Sequence, residues 1–512
     1  MTPPNPYPFL PTSKKEVEAL GWEQLDVILF MGDAYVDHPS FGVAVIARVL
    51  EAKGYKVAVV PQPNWRDDLR DFRKLGRPRL FFGVGAGAMD SMVNHYTAAK
   101  RLRSNDAYTP DARPGARPDR ATLVYTKILK QLWPDVPVVI GGIEASLRRE
   151  PHYDYWDNCM KPSILEESGA DILIAGMGEK PILQVAEAYA NGTADALPRI
   201  LMGAPLTTEE LDWVYELPFT RLPHPRYKGK RIPAYDMIKF SITTHRGCFG
   251  GCNFCAITAH QGKEIQSRSE ASILREVEAL TRHPEFKGTI SDLGAPSANM
   301  YRMGGIDKAL CAKCKRPACL FPNRCRNLNH DHTPLLQLYE KVLKVPGVKH
   351  VFVSSGIRYD LFLDENGFLS EDGRRYFEQL VTRHTSGRLK VAPEHTEDHV
   401  LQAMGKPSFK LFERLEKEFY KLIRQKGLNY EIIPYFISAH PGCTMQDMEA
   451  LSRRPSLRGI RTEQVQDFTP TPMTVSTEMF HTGKDPRTGK KIFVERDIAK
   501  KQRQKSFFFK KR

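Results

Sequence analysis

The sequence predicts two consecutive α/β units: a Rossmann-like parallel sheet, then a partial (β/α)6 barrel. Three observations predict this. Across residues 26–203, short apolar runs of strand length alternate with longer helical patterns, the rhythm of a parallel sheet covered on both faces. Six further strand–helix steps begin near Ile238, enough for a partial barrel with its chemistry at the C-terminal strand ends. Between them, residues 204–235 are dense in proline (Pro205, Pro218, Pro223, Pro225, Pro233). Proline resists regular structure, so this stretch reads as the linker between domains.

Residues 1–25 read as an N-terminal extension. The first unit then offers strands at Asp26–Met31, Lys56–Val60, Arg79–Val84, Val136–Ile140 and Asp171–Ala175. Helical patterns lie at Gly42–Ala52, Ala121–Leu132 and Pro181–Ala190. Residues 100–120 are rich in Arg, Pro and Asp and read as a surface excursion. The second unit, 236–475, offers strands at Ile238–Thr244, Gly288–Leu293, His350–Ser354, Leu389–Ala392, Tyr430–Ile437 and Thr462–Phe468. Its helices are expected at Glu270–Leu280, Glu371–Thr382, Phe409–Arg424 and Met445–Ser452. A cysteine-rich insertion occupies about 305–333. Residues 476–512 read as a basic, flexible tail.

The 512 residues are 41% hydrophobic and 26% charged, the composition of a globular protein with a substantial core. No window approaches the roughly 20 apolar residues of a membrane helix, and the N-terminus lacks the apolar stretch of a signal peptide. A cytoplasmic protein without a membrane partner is expected. The formal charge is +15, but Lys500–Arg512 holds seven basic residues and no acid, so removing it leaves 15 − 7 = +8. Such a tail can bind RNA or remain solvated.

Seven of the nine cysteines fall in two windows, 248–255 and 311–325. In a long chain without secretory signals, clustered cysteines read as metal ligands. Cys248, Cys252 and Cys255 form a C-x3-C-x2-C run directly after the first barrel strand. Three thiolates can hold three irons of a [4Fe-4S] cubane and leave the fourth without a protein ligand. A molecule with an amine and a carboxylate can chelate that iron, and S-adenosylmethionine has both. A zinc site needs four protein ligands, and only His245 stands nearby as a fourth. The alternative function is therefore a non-catalytic iron–sulfur or zinc protein with a structural or electron-transfer role. The second set, Cys311, Cys314, Cys319 and Cys325, suits either structural zinc or a second [4Fe-4S] cluster.

With the triplet and its barrel in view, the chain resembles the YgiQ-type radical SAM proteins. The resemblance rests on Val36-Asp37-His38-Pro39-Ser40-Phe41-Gly42, on Gly141–Ser146 (GGIEAS), on Thr244–Cys255 (THRGCFGGCNFC), on Ser355–Leu361 (SGIRYDL), on Val391–His395 (VAPEH) and on His440-Pro441-Gly442. It implies a radical SAM barrel preceded by a domain like the cobalamin-binding Rossmann-like module. It implies a [4Fe-4S] cluster on Cys248, Cys252 and Cys255 that cleaves S-adenosylmethionine reductively, with an external one-electron reductant such as flavodoxin or ferredoxin. The resulting 5′-deoxyadenosyl radical starts chemistry on a substrate. One departure stands out. Modules that ligate cobalt through histidine carry D-x-H-x-x-G, whereas Asp37 and His38 are adjacent and Gly42 follows four later. Cobalamin is therefore not expected.

Position at the strand ends supplies further candidates for binding S-adenosylmethionine. Phe254 is a candidate to pack on adenine, with ordinary loop packing as the alternative. Ser291 and Asp292 end the second strand and are candidates for the amino group. Ser354, Ser355 and Arg358 end the third, where Arg358 is a candidate to pair with a carboxylate. Glu394 and His395, then His440, then Gln466 and Asp467 end the last three.

Overall fold

The computed structural model describes residues 8–364, 366–457 and 464–508. The chain divides into two compact units, Met1–Lys239 and Phe240–Arg512.

The first unit is built on six parallel strands: β1 (Val27–Met31), β2 (Val57–Pro61), β3 (Phe81–Gly85), β4 (Val138–Gly141), β5 (Ile172–Ala175) and β6 (Ile200–Met202). Their order is β2-β1-β3-β4-β5-β6. Every residue of β1, β2 and β3 is buried, as expected of strands covered on both faces. The helix Gly42–Ala52 packs one face through Ala44, Val45, Val49 and Leu50, and Ala121–Leu132 covers the other through Tyr125 and Leu129. Each fully buried Val, Leu or Ile contributes about 1.5–3 kcal/mol before the entropy of ordering.

Four expectations for the chain need correction. The strand β6 was not foreseen, because Ile200–Met202 is too short to carry a pattern. The supposed excursion at 100–120 is anchored inside: Arg117 is buried, ion-paired with Asp33 at 2.8 Å and with Asp106 at 3.2 Å. The proline-rich stretch 204–235 contains the helix Thr208–Tyr215 and contributes Leu211, Val214, Tyr227 and Ile232 to the first unit's core. The residues before β1 are likewise built in, since Leu10 is buried and Pro11 O accepts from Val59 N–H at 2.9 Å.

The second unit has strands β7 (Ser241–Thr243), β8 (Thr289–Ile290), β9 (Asp292–Gly294), β10 (His350–Val351), β11 (Arg388–Glu394), β12 (Glu431–Ser438) and β13 (Val465–Asp467). These seven pair in parallel, β7 with β9, β8 with β10, and β11-β12-β13 in a row, while two-residue antiparallel ladders join His245–Arg246 to Gln266–Ser267 and Gly304–Gly305 to Leu328–Asn329. Only Ser291 separates β8 from β9, so the two act as one interrupted strand. Ile238 belongs to the helix Pro233–Ile238 and not to the first barrel strand. Thr462 and Glu463, which open the sixth expected strand, lie outside the described residues. The helices Glu270–Thr281, Thr333–Leu343, Glu371–Arg383 and Phe409–Lys426 alternate with the strands and bury one face each in a single core. Phe409–Lys426 is cut at Ser408, whose side chain accepts from Lys410 N–H, and at Gly427, which adopts φ +63°.

The expected flexible tail is also corrected. Residues 475–508 include the helices Val475–Thr482 and Ile498–Ser506. Gln504 is buried, accepting from Ala439 N–H at 2.9 Å and donating to Cys443 O at 3.3 Å. The buried Lys501 ammonium donates to Phe468 O at 3.1 Å. Residues 509–512 lie outside the described residues. No described helix is long and apolar enough to cross a membrane.

Candidate functional site

The three cysteines leave the C-terminal end of β7 on one loop. Thr244 still pairs with the neighbouring strand end, its N–H donating to Gly294 O at 2.9 Å. The loop is held at both ends. Cys248 N–H donates to Gly262 O at 3.1 Å, and Asn253 N–H donates to Met404 O at 2.8 Å. The Asn253 side chain donates to Ala403 O, and Asn253 O accepts from Ser476 N–H at 3.0 Å. These anchors fix where the thiols stand.

Each thiol has a distinct setting. Cys248 Sγ lies 3.3 Å from Ser297 Oγ. Cys252 Sγ accepts from the Arg358 guanidinium at 3.1 Å. For Cys255, burial pushes the thiol up to about 12, with Cys252 adding to the shift. A metal ligand must lose that proton, so metal binding here is coupled to proton release.

A cubane needs open space beside the thiols that would hold it. A Cβ on Gly250 would fall 2.6 Å from Arg358 Nη1 and 3.3 Å from Cys248 Sγ. Glycine thus keeps open the space between the Cys248 thiol and the guanidinium that reaches Cys252. Among the described residues no three His, Cys, Asp or Glu side chains are gathered closely enough for one metal ion. His245 does not complete a zinc site: its Nδ1 lies 2.9 Å from Thr244 Oγ1 and its Nε2 lies 3.1 Å from Ser297 O. Burial holds it down to about 3, as a neutral ring. Three thiols on one anchored loop, with an open glycine beside Cys248, suit a bulky three-point guest.

Arg358 is not a spare cation for a ligand carboxylate. Its Nε and Nη2 fork onto Asp360 at 2.9 and 2.5 Å, both side chains largely buried, while Nη1 faces Cys252. Its backbone is clamped by Asn299, which accepts from Arg358 N–H at 2.8 Å and donates to Arg358 O at 2.9 Å.

Glu394 closes β11 at a register shift between Val391 and Glu394, with φ +70°. A non-glycine residue in that region is strained, and such strain gathers where a side chain is re-aimed for function. Burial raises its carboxyl; Lys406, 3.7 Å away, and then Arg358 oppose the rise. Glu394 is also among the charges that act on Cys255.

Asp292, Ser354 and Ser355 form a second group. Asp292 Oδ1 accepts from Ser354 N–H at 2.8 Å and Ser355 N–H at 3.1 Å, and Oδ2 accepts from Ser355 Oγ. Ser291 contributes its carbonyl, which accepts from Ser354 Oγ at 2.7 Å. Phe254 packs edge-on to the His440 ring at 6.1 Å. His440 Nε2 lies 2.7 Å from Ser476 Oγ, and His395 Nε2 lies 3.5 Å from Cys443 Sγ. Gln466 is exposed on β13, and Asp467 accepts from Ser438 Oγ at 2.5 Å. Of the second cysteine set, Cys311 and Cys314 are exposed, and Cys319 and Cys325 are half-buried.

Sequence reasoning missed Asp360, Asn299, Ser297 and Lys406. Asp360 had a signal, since Arg-x-Asp at 358–360 places opposite charges two apart on a strand-like segment. The other three had none. Ser297 and Asn299 find their partners 49 and 59 positions away, and Lys406 reaches Glu394 only across the helix Asp398–Met404.

The strand-end site on a parallel α/β unit, with three cysteines on the first loop, defines a radical SAM enzyme. The family described as "Radical SAM N-terminal" matches residues 9–203 and 198–241, and a "Domain of unknown function (DUF3362)" matches 463–509. A UPF0313 protein of Bacteroides thetaiotaomicron is 52% identical over 98% of this chain and 94% of its own. One from Methanocella arvoryzae is 44% identical over 96% and 91%. The chain therefore belongs to the UPF0313 family, the YgiQ-type radical SAM proteins. Its fold is shared with the radical S-adenosylmethionine methyltransferase TsrM of Kitasatospora setae, solved with cobalamin and a [4Fe-4S] cluster bound. TM-score is 0.51 and identity 16%, covering 84% of this chain and 69% of that one.

That likeness overturns the expectation against cobalamin. The expectation rested on the register of one histidine motif, and a chain of this fold is known with cobalamin bound. The structure also explains the register without reference to any cofactor. Asp37 pairs with buried Arg48 at 2.5 Å, and His38 Nδ1 accepts from Ser40 N–H at 3.1 Å. The adjacent Asp37 and His38 thus have local partners of their own, and their register is no ground for expecting cobalamin to be absent.

Proposed function

We propose that Cys248, Cys252 and Cys255 hold a [4Fe-4S] cluster whose unligated iron takes S-adenosylmethionine. When bound, that cluster supplies the single electron that breaks the C5′–S bond of the sulfonium and so starts radical chemistry on a substrate. The observation that carries this reading is the Gly250 gap, bounded by Cys248 and by the guanidinium that reaches Cys252. The six strand positions of the second unit, counting β8 and β9 as one, are read as a partial (β/α)6 barrel with this loop at its C-terminal rim.

The chain's own residues have separable tasks. Arg358, held by Asp360 and Asn299, donates to Cys252 Sγ and offsets the negative charge that thiolates bring. Asp292, fixed by three donors from Ser354 and Ser355, presents a carboxylate suited to an ammonium group. Glu394, aimed by its bulge, offers an acceptor on the Cys255 side. Phe254, Phe249 and Met300 provide apolar surface that excludes water. An external one-electron donor, such as flavodoxin or ferredoxin, completes the system.

The test is anaerobic reconstitution of the full chain with iron and sulfide, followed by dithionite and S-adenosylmethionine. 5′-Deoxyadenosine is expected from the unaltered chain and not from Cys252→Ala. Equal yields from both would overturn the reading.

A further inference from the structure

The insertion that follows β9 has little to hold it together. It contains a two-residue ladder, Gly304–Gly305 with Leu328–Asn329, and the short helix Lys308–Ala312. Leu320 and Leu328 pack on Phe249, but Ile306 is 69% and Leu310 59% exposed. So few buried apolar groups do not offset the entropy of ordering a segment of this length. Segments of this kind are ordered by a cross-link or a metal.

Its four cysteines are arranged to provide one. Cys311 and Cys314 share a turn, with Cys314 N–H donating to Cys311 O at 3.0 Å. Cys319 and Cys325 are drawn together by a 2.7 Å bond from Cys325 N–H to Cys319 O. The two turns are tied together: Leu328 N–H donates to Cys325 O at 3.1 Å, and Leu328 pairs with Gly305, which lies against Cys311 Sγ. The Cys311 side is built. Asn327 and Asp307 bond reciprocally at 2.9 Å, and the same Asn327 amide donates to Cys311 Sγ at 3.4 Å. A Cβ on Gly305 would collide with Cys311 Sγ, so glycine is required beside that thiol.

We propose that Cys311, Cys314, Cys319 and Cys325 ligate a [4Fe-4S] cluster of their own, with all four irons held by protein. The choice over zinc rests on spacing: structural zinc sites pair their cysteines across short spacers of about two to four residues, whereas five residues separate Cys319 from Cys325. This centre braces the first one, because Cys319 N–H donates to Phe249 O, inside the triplet loop, at 3.0 Å.

The experiment uses the full chain with Cys248, Cys252 and Cys255 all changed to Ala, reconstituted anaerobically and assayed for iron, zinc and acid-labile sulfide. About four irons and four sulfides per chain are expected to remain, against about eight in the unaltered chain. A triple variant holding one zinc, or no metal, would overturn the proposal. Should that variant not fold, the unaltered chain decides by Mössbauer spectroscopy. About eight irons are expected, of which one responds to S-adenosylmethionine; about four would refute the second cluster. The outcome is independent of catalysis, so failure here leaves the triplet's role intact.

Discussion

Arg358 serves Cys252 and Asp360 at once: one guanidinium nitrogen lies 3.1 Å from the Cys252 thiol while the other two fork onto the Asp360 carboxylate. The fork aims the third nitrogen. The pair sits in the segment after β10 and reaches back to the loop after β7, so it ties two strand ends together. Arg358→Met leaves Asp360 buried without a counter-charge, which costs about 3–5 kcal/mol of stability. It also removes a hydrogen bond to the Cys252 sulfur, and the potential of the proposed cluster is expected to fall by something on the order of tens of millivolts. Denaturant melts and potentiometric titration read the two effects. An unmoved potential would show that the contact does not matter to the cluster.

Gly250→Ala places a methyl group where Arg358 Nη1 and Cys248 Sγ now converge. Overpacking of this kind costs about 1–3 kcal/mol. Reconstituted protein is expected to hold several-fold less iron at the triplet while keeping its circular dichroism. Full iron loading would mean that the gap is not where the cluster sits.

The buried histidines make the second unit sensitive to acid. Burial holds His395 and His440 down to about 3, below the ordinary value near 6.5. Both are neutral in the folded chain at pH 7, and their rings are bonded in that form. Above pH 6.5 the unfolded chain is neutral there too, and stability is fully present. As pH falls through 6.5, the unfolded chain takes up protons that the folded chain refuses. Each histidine then removes about 1.4 kcal/mol per pH unit until about pH 3. Denaturant midpoints at pH 7 and 5 should differ accordingly, and His440→Gln should reduce the difference by one histidine's share. An identical pH slope in the variant would contradict the assignment.

Gln504 gives the clearest test of the C-terminal segment. Its amide satisfies the buried Ala439 N–H, at a residue with φ +56°, and the Cys443 carbonyl. Gln504→Ala leaves both groups buried and unpaired, a loss of about 1–3 kcal/mol for each. A lowered melting temperature is expected, and ending the chain at Arg496 should lower it further. No change would restore the view of this segment as a solvated tail.

Much of the fold was legible because its signals are local. The helices Gly42–Ala52 and Ala121–Leu132 match their expected bounds, since each carries an uninterrupted apolar stripe. The cysteine triplet was equally plain, being three ligands on one short loop. What escaped were polar residues that bury through distant partners. Arg117 and Asp106 looked like surface because nothing nearby announces that Asp33 joins Asp106 in pairing with a buried Arg117. Lys501 and Gln504 looked like a basic tail because their partners, the Phe468 carbonyl and the Ala439 N–H, are more than thirty positions away. Arg358 reads in the sequence as a partner for a ligand carboxylate; in the structure the carboxylate it pairs with is Asp360, two residues on.

The central claim is that one iron at the triplet has no protein ligand and is chelated by S-adenosylmethionine. Electron–nuclear double resonance on the reduced, reconstituted chain, with S-adenosylmethionine isotopically labelled at its amino nitrogen and carboxylate carbon, tests it most directly. Hyperfine coupling from both labels is expected, and it should vanish when Cys248, Cys252 and Cys255 are all replaced by Ala. A fully loaded chain that gives no coupling from either label would contradict the account.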